Sequence, residues 1–160
     1  MAEQLYVTGT DRATRYQSLL PQIDALITGE PDLIANLANV SAALKGGLGF
    51  FWVGFYLVKD NQLVLGPFQG PVACTRLHFD RGVCGACYTR RAPVVVADVE
   101  AFPGHVACSA ESRSEIVLPL FRGEDVFAVL DVDSDRIDDF GEVDVRYLTQ
   151  LCARIGEAAR

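Results

Sequence analysis

"SEIVLPLFRGEDVFAVLDVD", residues 114–133, decides the fold. Two apolar runs, 114–121 and 125–133, meet at "RGED" (122–125), whose Gly and acidic residues make a hairpin turn, so the pair is antiparallel. Working outward, "FFWVGFYLV" (50–58) and "QLVLGPF" (62–68) form a second hairpin around "KDN", and "CTRLHF" (74–79) and "APVVVADV" (92–99) also read as strands. Residues 12–28 carry Tyr16, Leu19, Leu20, Ile23, Leu26 and Ile27 at helical spacing. A second helix opens at Pro31-Asp32, buries Leu33, Ile34, Leu37, Val40 and Leu44, and ends at "KGGLG" (45–49). A last helix opens at "DDFGE", with Asp139 and Glu142 as a capping box and Val143, Tyr147, Leu148, Leu151, Cys152 and Ile155 as its apolar stripe. The expected class is α+β: a central, mostly antiparallel sheet of about six strands with the N- and C-terminal helices packed on one side.

A chain of 160 residues, half of them hydrophobic, fits one domain spanning 1–160 with a substantial core. The net charge is −7 and Lys plus Arg number only 14, so nucleic acid and anionic membrane are poor partners. The N-terminus lacks an apolar signal-type segment, and no stretch is apolar for the length of a membrane span, so a cytoplasmic protein is expected. The number of cysteines, five, is odd, which argues against a fully paired secreted framework. Cys74, Cys84, Cys87 and Cys108 cluster in one segment, which points to metal binding or redox chemistry. Cys152 belongs to the helical core stripe.

Cys84-Gly-Ala-Cys87 allows several readings. With His105 and Cys108 it offers four zinc ligands, as in a zinc ribbon. A deaminase-type zinc site needs Glu and Pro where Ala107 and Val83 stand. A thioredoxin-like motif needs a βαβ context that these strands do not supply. "DVDSDRIDDFGE" (131–142) mimics a calcium loop, but Arg136 occupies its glycine position and a strand precedes it.

The polar residues that sit badly in apolar strands are more telling. Glu115 interrupts one strand of the 114–133 hairpin. Asp131 and Asp133 lie two apart on the other, hence on one face. Emergence of strand ends into solvent is one account. A cationic group held by three carboxylates, such as a ligand ammonium, is the better one. Trp52 and Tyr56, four apart, share a face of their strand as core packing or as the aromatic wall of a pocket. The loop "FPGHVACSAESRSE" (102–115) holds Cys108. Together these features suit a free amino acid acted on by a cysteine.

"FQGPVACTRL" (68–77), "GVCG" (82–85), "DVEAFPGHVAC" (98–108), "SEIVLP" (114–119) and "LDVDS" (130–134) resemble, in order, the free methionine-(R)-sulfoxide reductase family, whose members are single GAF domains. The resemblance implies a GAF-like fold and reduction of free, not peptide-bound, methionine-(R)-sulfoxide, with thioredoxin as external reductant and no metal or cofactor. It implies Cys108 as nucleophile, Cys74 as the resolving thiol that forms a disulfide with it, and Cys84 as an auxiliary third cysteine. Glu115 would protonate or hydrogen-bond the sulfoxide oxygen, Asp131 and Asp133 would hold the ammonium, and Trp52 and Tyr56 would enclose the methyl end. The family also suggests a homodimer. Two positions depart from its pattern: Cys87 stands where Ala is common and Ser109 where Asp is common, so Cys87 is expected to be inert. The remaining alternatives are a non-catalytic small-ligand GAF sensor and a zinc module using Cys84, Cys87, His105 and Cys108.

Overall fold

The computed structural model describes residues 4–159. Its elements are α1 (Arg12–Ile27), α2 (Leu33–Leu48), β1 (Trp52–Lys59), β2 (Gln62–Gln69), β3 (Arg76–Leu77), α3 (Gly82–Arg90), β4 (Val94–Val96), β5 (Ser114–Arg122), β6 (Asp125–Ser134) and α4 (Glu142–Ala158). The strands form one sheet in the order β3-β2-β1-β6-β5-β4, and all pairings are antiparallel. The predicted β5–β6 hairpin forms with Arg122 opposite Asp125, leaving Gly123 and Glu124 as its turn.

Helix starts follow local chemistry. The Asp11 carboxylate accepts from the Thr14 N–H at 2.7 Å and the Asp32 carboxylate from the Ala35 N–H at 2.9 Å, each satisfying an amide that the first helical turn leaves without a partner. Asp139 does not cap α4. Its carboxylate is taken by Arg12 and by the Ser134 hydroxyl, so the helix begins after Gly141, whose N–H donates to Asp144 at 3.0 Å. Val143 correspondingly faces solvent.

Both faces of the sheet are covered, by different material. Alternate residues of β1, Val53, Phe55 and Leu57, join Ile116, Leu118, Leu130 and Val132 under α1, α2 and α4. The intervening positions, Trp52 and Tyr56, join Val117, Val129, Val94 and Val96 on the other face, against α3. That helix is nine residues long and packs away from the other three.

Two expected strands are shorter than their sequence suggests. Of 74–79 only Arg76–Leu77 pairs, because the preceding segment gives its carbonyls to side chains: Trp52 Nε1 donates to Pro71 O at 3.0 Å and the Tyr56 hydroxyl to Cys74 O at 2.9 Å. Of 92–99 only Val94–Val96 pairs. Pro93 has no N–H for the ladder, and Asp98 caps a short helical turn by accepting from the Glu100 N–H.

Candidate active site

The register of the three central strands assembles the site. Trp52 lies opposite Asp133 and Gly54 opposite Asp131 across β1–β6. Glu115 lies opposite Asp133 and Val117 opposite Asp131 across β5–β6. Facing pairs in a ladder point to the same side, so Trp52, Tyr56, Glu115, Asp131 and Asp133 share the face covered by α3. All five line one cleft, together with Cys84, Cys108, His105, Ser112 and Arg81. Its cavity is about 50 Å³, well below the several hundred cubic ångströms of a drug-sized pocket, so it suits a compact ligand.

One wall is acidic. Glu115 and Asp131 are each 6% exposed, and atoms of Glu115, Asp131 and the Cys84 thiol lie within 4.8 Å of one another. The Ser112 hydroxyl donates to Asp133 at 2.9 Å. Among the described residues no Lys, Arg or His is ion-paired with these three carboxylates. Oδ1 of Asp131 is buried with no hydrogen-bond partner among them. Burial, then the charges of Asp131 and Asp133, raises Glu115 well above the usual carboxyl range. Burial, reinforced by Asp131, does the same to Asp133, and burial raises Asp131 against opposing hydrogen bonds from Glu115 and Cys84. Burial and mutual repulsion in such a wall favour the protonated carboxyl forms.

Beside the acidic residues, on the same sheet face, lie aromatic rings. Trp52 stacks on Tyr56 with ring centroids 6.2 Å apart and on Phe68 at 5.3 Å. The roof is covalent: Cys74 and Cys108 form a disulfide, with their Cα atoms 5.4 Å apart. The loop carrying Cys108 is tied down where the Gly82 N–H donates to Gly104 O at 3.0 Å. Ser109, in the position that departs from the family pattern, accepts from the Glu111 N–H at 3.3 Å and so caps its turn. Burial lowers the pKa of His105, keeping its ring neutral near pH 7.

The remaining thiols are quiet. Burial, followed by the neighbouring carboxylates, pushes Cys84 well up, so it is protonated although it lines the cleft. Cys87 is fully buried and pushed up to about 12, chiefly by burial. Burial also raises Cys152, which sits in the helical core as expected. The alternative zinc tetrad does not assemble: Cys108 is bonded to Cys74 and Cys87 belongs to the core.

Three contributors escaped the sequence reading. Ser112 orients Asp133. Arg81 stands at the cleft mouth, its side chain 60% exposed. The start of α3 has no side-chain cap, and Gly82, Val83 and Cys84 at that start line the cleft. The Gly82 N–H is taken by Gly104 O, which leaves the amides of Val83 and Cys84, and free amides at a helix N-terminus favour an anion. Only "GVCG" hinted at this, through a glycine opening a helix.

Comparison with known proteins agrees with this geometry. A family model described as GAF domain matches residues 29–159. A GAF domain-containing protein A of Dictyostelium discoideum is 56% identical over 152 residues, 94% of this chain and 96% of that protein. The free methionine-R-sulfoxide reductase of Escherichia coli is 45% identical over 141 residues, 88% of this chain and 86% of that protein. The X-ray structure of free methionine-R-sulfoxide reductase from Neisseria meningitidis in complex with its substrate superposes with a TM-score of 0.96 at 48% identity, covering 98% of this chain and 95% of that one. The chain therefore belongs to the free methionine-R-sulfoxide reductase family of GAF domains.

Proposed function

We propose that this protein reduces free methionine-(R)-sulfoxide to methionine through a cysteine relay recycled by thioredoxin in the cytoplasm. The observation that carries this reading is one cleft in which Cys108 faces buried carboxylates that lack a cation. The substrate ammonium supplies that cation to Asp131 and Asp133. The amides at the start of α3 and Arg81 receive its carboxylate, and Trp52 and Tyr56 enclose its methyl end. A peptide-bound residue has no free ammonium and would leave the Asp pair unmatched, which explains selectivity for the free amino acid.

The chemistry follows from the protonation states. Reduced Cys108 attacks the sulfoxide sulfur as thiolate. Protonated Glu115 donates to the sulfoxide oxygen, which is otherwise a poor leaving group. The oxygen passes to the Cys108 sulfur as a sulfenic acid and methionine departs, the cysteine being oxidised by two electrons as the substrate is reduced. The Cys74 thiolate then attacks that sulfur, expels water and forms the disulfide. The thioredoxin dithiol reduces it, taking the oxidation onto its own sulfurs. Cys84 is held in reserve as an auxiliary thiol, and the protein works as a homodimer without a resident metal or cofactor.

The test is a thioredoxin-coupled assay with the separated R and S epimers of free methionine sulfoxide and with a peptide-bound sulfoxide. Turnover of the free R epimer alone is expected, with none in Cys108→Ser and a single stoichiometric turnover in Cys74→Ser. Full activity in Cys108→Ser, or none with the R epimer, overturns the reading and favours a ligand-binding sensor.

A further inference from the structure

The cysteine spacing in the sequence groups Cys84, Cys87, His105 and Cys108 as ligands, but the fold gathers a different set. Cys84 Sγ and one carboxylate oxygen each from Glu115 and Asp131 lie within 4.8 Å of one another, all three residues buried. These are one soft and two hard donors, on the first turn of α3, on β5 and on β6. Asp133 is the next residue along the same face of β6. The donors line the cleft, whose cavity of about 50 Å³ has room for a water as a further ligand. Independently of the donor grouping, Asp131 Oδ1 is buried without a partner, an arrangement that a bound cation relieves.

We infer that Cys84, Glu115 and Asp131 form a binding site for a thiophilic divalent cation, Zn²⁺ or Cd²⁺, and that the ion excludes substrate by taking the place of its ammonium. The donor set discriminates among metals. Calcium and magnesium require six or more oxygens, whereas a thiolate with two carboxylates and a water completes a tetrahedral zinc site. Binding displaces the Cys84 proton and any proton on the two carboxyls into solvent, with no change of oxidation state. The metal binds as an inhibitor. The ligand set lies beside the Cys74–Cys108 pair and does not use it, so the site exists in the disulfide-bonded protein.

The inhibitory part rests on the proposed function, and the metal-binding part does not. The disulfide-bonded protein, without reductant, is titrated with Co²⁺ as a spectroscopic stand-in for Zn²⁺. One equivalent is expected to develop a thiolate-to-cobalt charge-transfer band, and added Zn²⁺ to abolish it. The band is lost in Cys84→Ser, kept in Cys87→Ser, and needs roughly tenfold more Co²⁺ in Glu115→Gln. No band in the wild type, or a band surviving in Cys84→Ser, overturns the site. Methionine binding is followed separately, without metal, by the fluorescence of Trp52, the single tryptophan of the chain. Methionine at ten times its own dissociation constant raises the apparent Co²⁺ dissociation constant about tenfold. If methionine binds but leaves the Co²⁺ affinity unchanged, the overlap is wrong. If methionine does not bind while the band forms, the proposed function fails and the metal site stands.

Discussion

Glu115 carries the sharpest conflict between stability and chemistry in the molecule. It is buried beside two other carboxyls with no base in contact, and its pKa is raised well above the ordinary 4.5. In the unfolded chain its proton is lost near that ordinary value, while the folded chain still holds it. The group therefore stabilises fully below about pH 4.5, and that contribution is lost as pH climbs through the folded value. Glu115→Gln keeps the shape and removes the titration. Thermal melts of ligand-free protein from about pH 5 to about pH 8 should show the variant gaining on the wild type as pH rises. On the proposed mechanism the same variant lacks the proton donor, and its turnover should fall by about 10²- to 10⁴-fold. A wild type that keeps its margin at every pH would mean that Glu115 is ionised. Cys87 is the contrasting case: it is fully buried, in contact with core residues, and its thiol is held protonated. Cys87→Ala should cost about 1 kcal/mol of stability in urea melts through lost packing, with most activity retained.

At the scale of elements, β1 explains why one strand serves both core and cleft. Its odd and even positions feed opposite faces, and Gly54 sits between Trp52 and Tyr56 on the cleft side. A Cβ at Gly54 would fall 2.3 Å from Phe68 Cβ and 2.8 Å from the Trp52 ring, so the stack of these aromatics depends on the missing side chain. Gly54→Ala should destabilise by about 1–3 kcal/mol and weaken methionine binding, read as a loss of the Trp52 fluorescence response. An unchanged response would mean that the ring does not contact the ligand. The same element level shows what the sequence made legible. Period-2 alternation placed Trp52, Tyr56, Asp131 and Asp133 correctly, because side-chain direction in a strand is local geometry. It overextended 74–79, because Trp52 and Tyr56 of a distant strand take the carbonyls of Pro71 and Cys74 at its approach. It also misplaced the α4 cap, since nothing local shows that Arg12 claims Asp139. The uncapped start of α3 lines the cleft only where the 102–113 loop meets it, through the Gly82 N–H to Gly104 O bond.

For the whole molecule, the sheet separates stability from chemistry. Three helices bury one face in a continuous apolar core, while the other face carries α3, the acidic wall and the disulfide-bearing loops. The pairing of Cys74 with Cys108 was legible through family motifs and not through spacing, since 34 residues separate them and closure depends on two loops meeting above the sheet. That separation has a thermodynamic consequence. Closing a loop of this length restricts the unfolded chain by about 4 kcal/mol at room temperature. The helix-face core is untouched by reduction, so the reduced protein stays folded and the difference appears as a shift of the melting transition. For a chain of this size the oxidised form should melt about 10 °C above the reduced one. Cys74→Ser cannot form the bond and should melt at the same temperature with or without reductant. A redox-dependent shift that persists in Cys74→Ser would place the effect at another thiol. No shift in the wild type would mean that the bond restricts the folded chain as much as the unfolded one. A shift confined to the wild type assigns the difference to the Cys74–Cys108 bond, so that the oxidised form of the proposed cycle is the more stable one and the reduced form the less constrained.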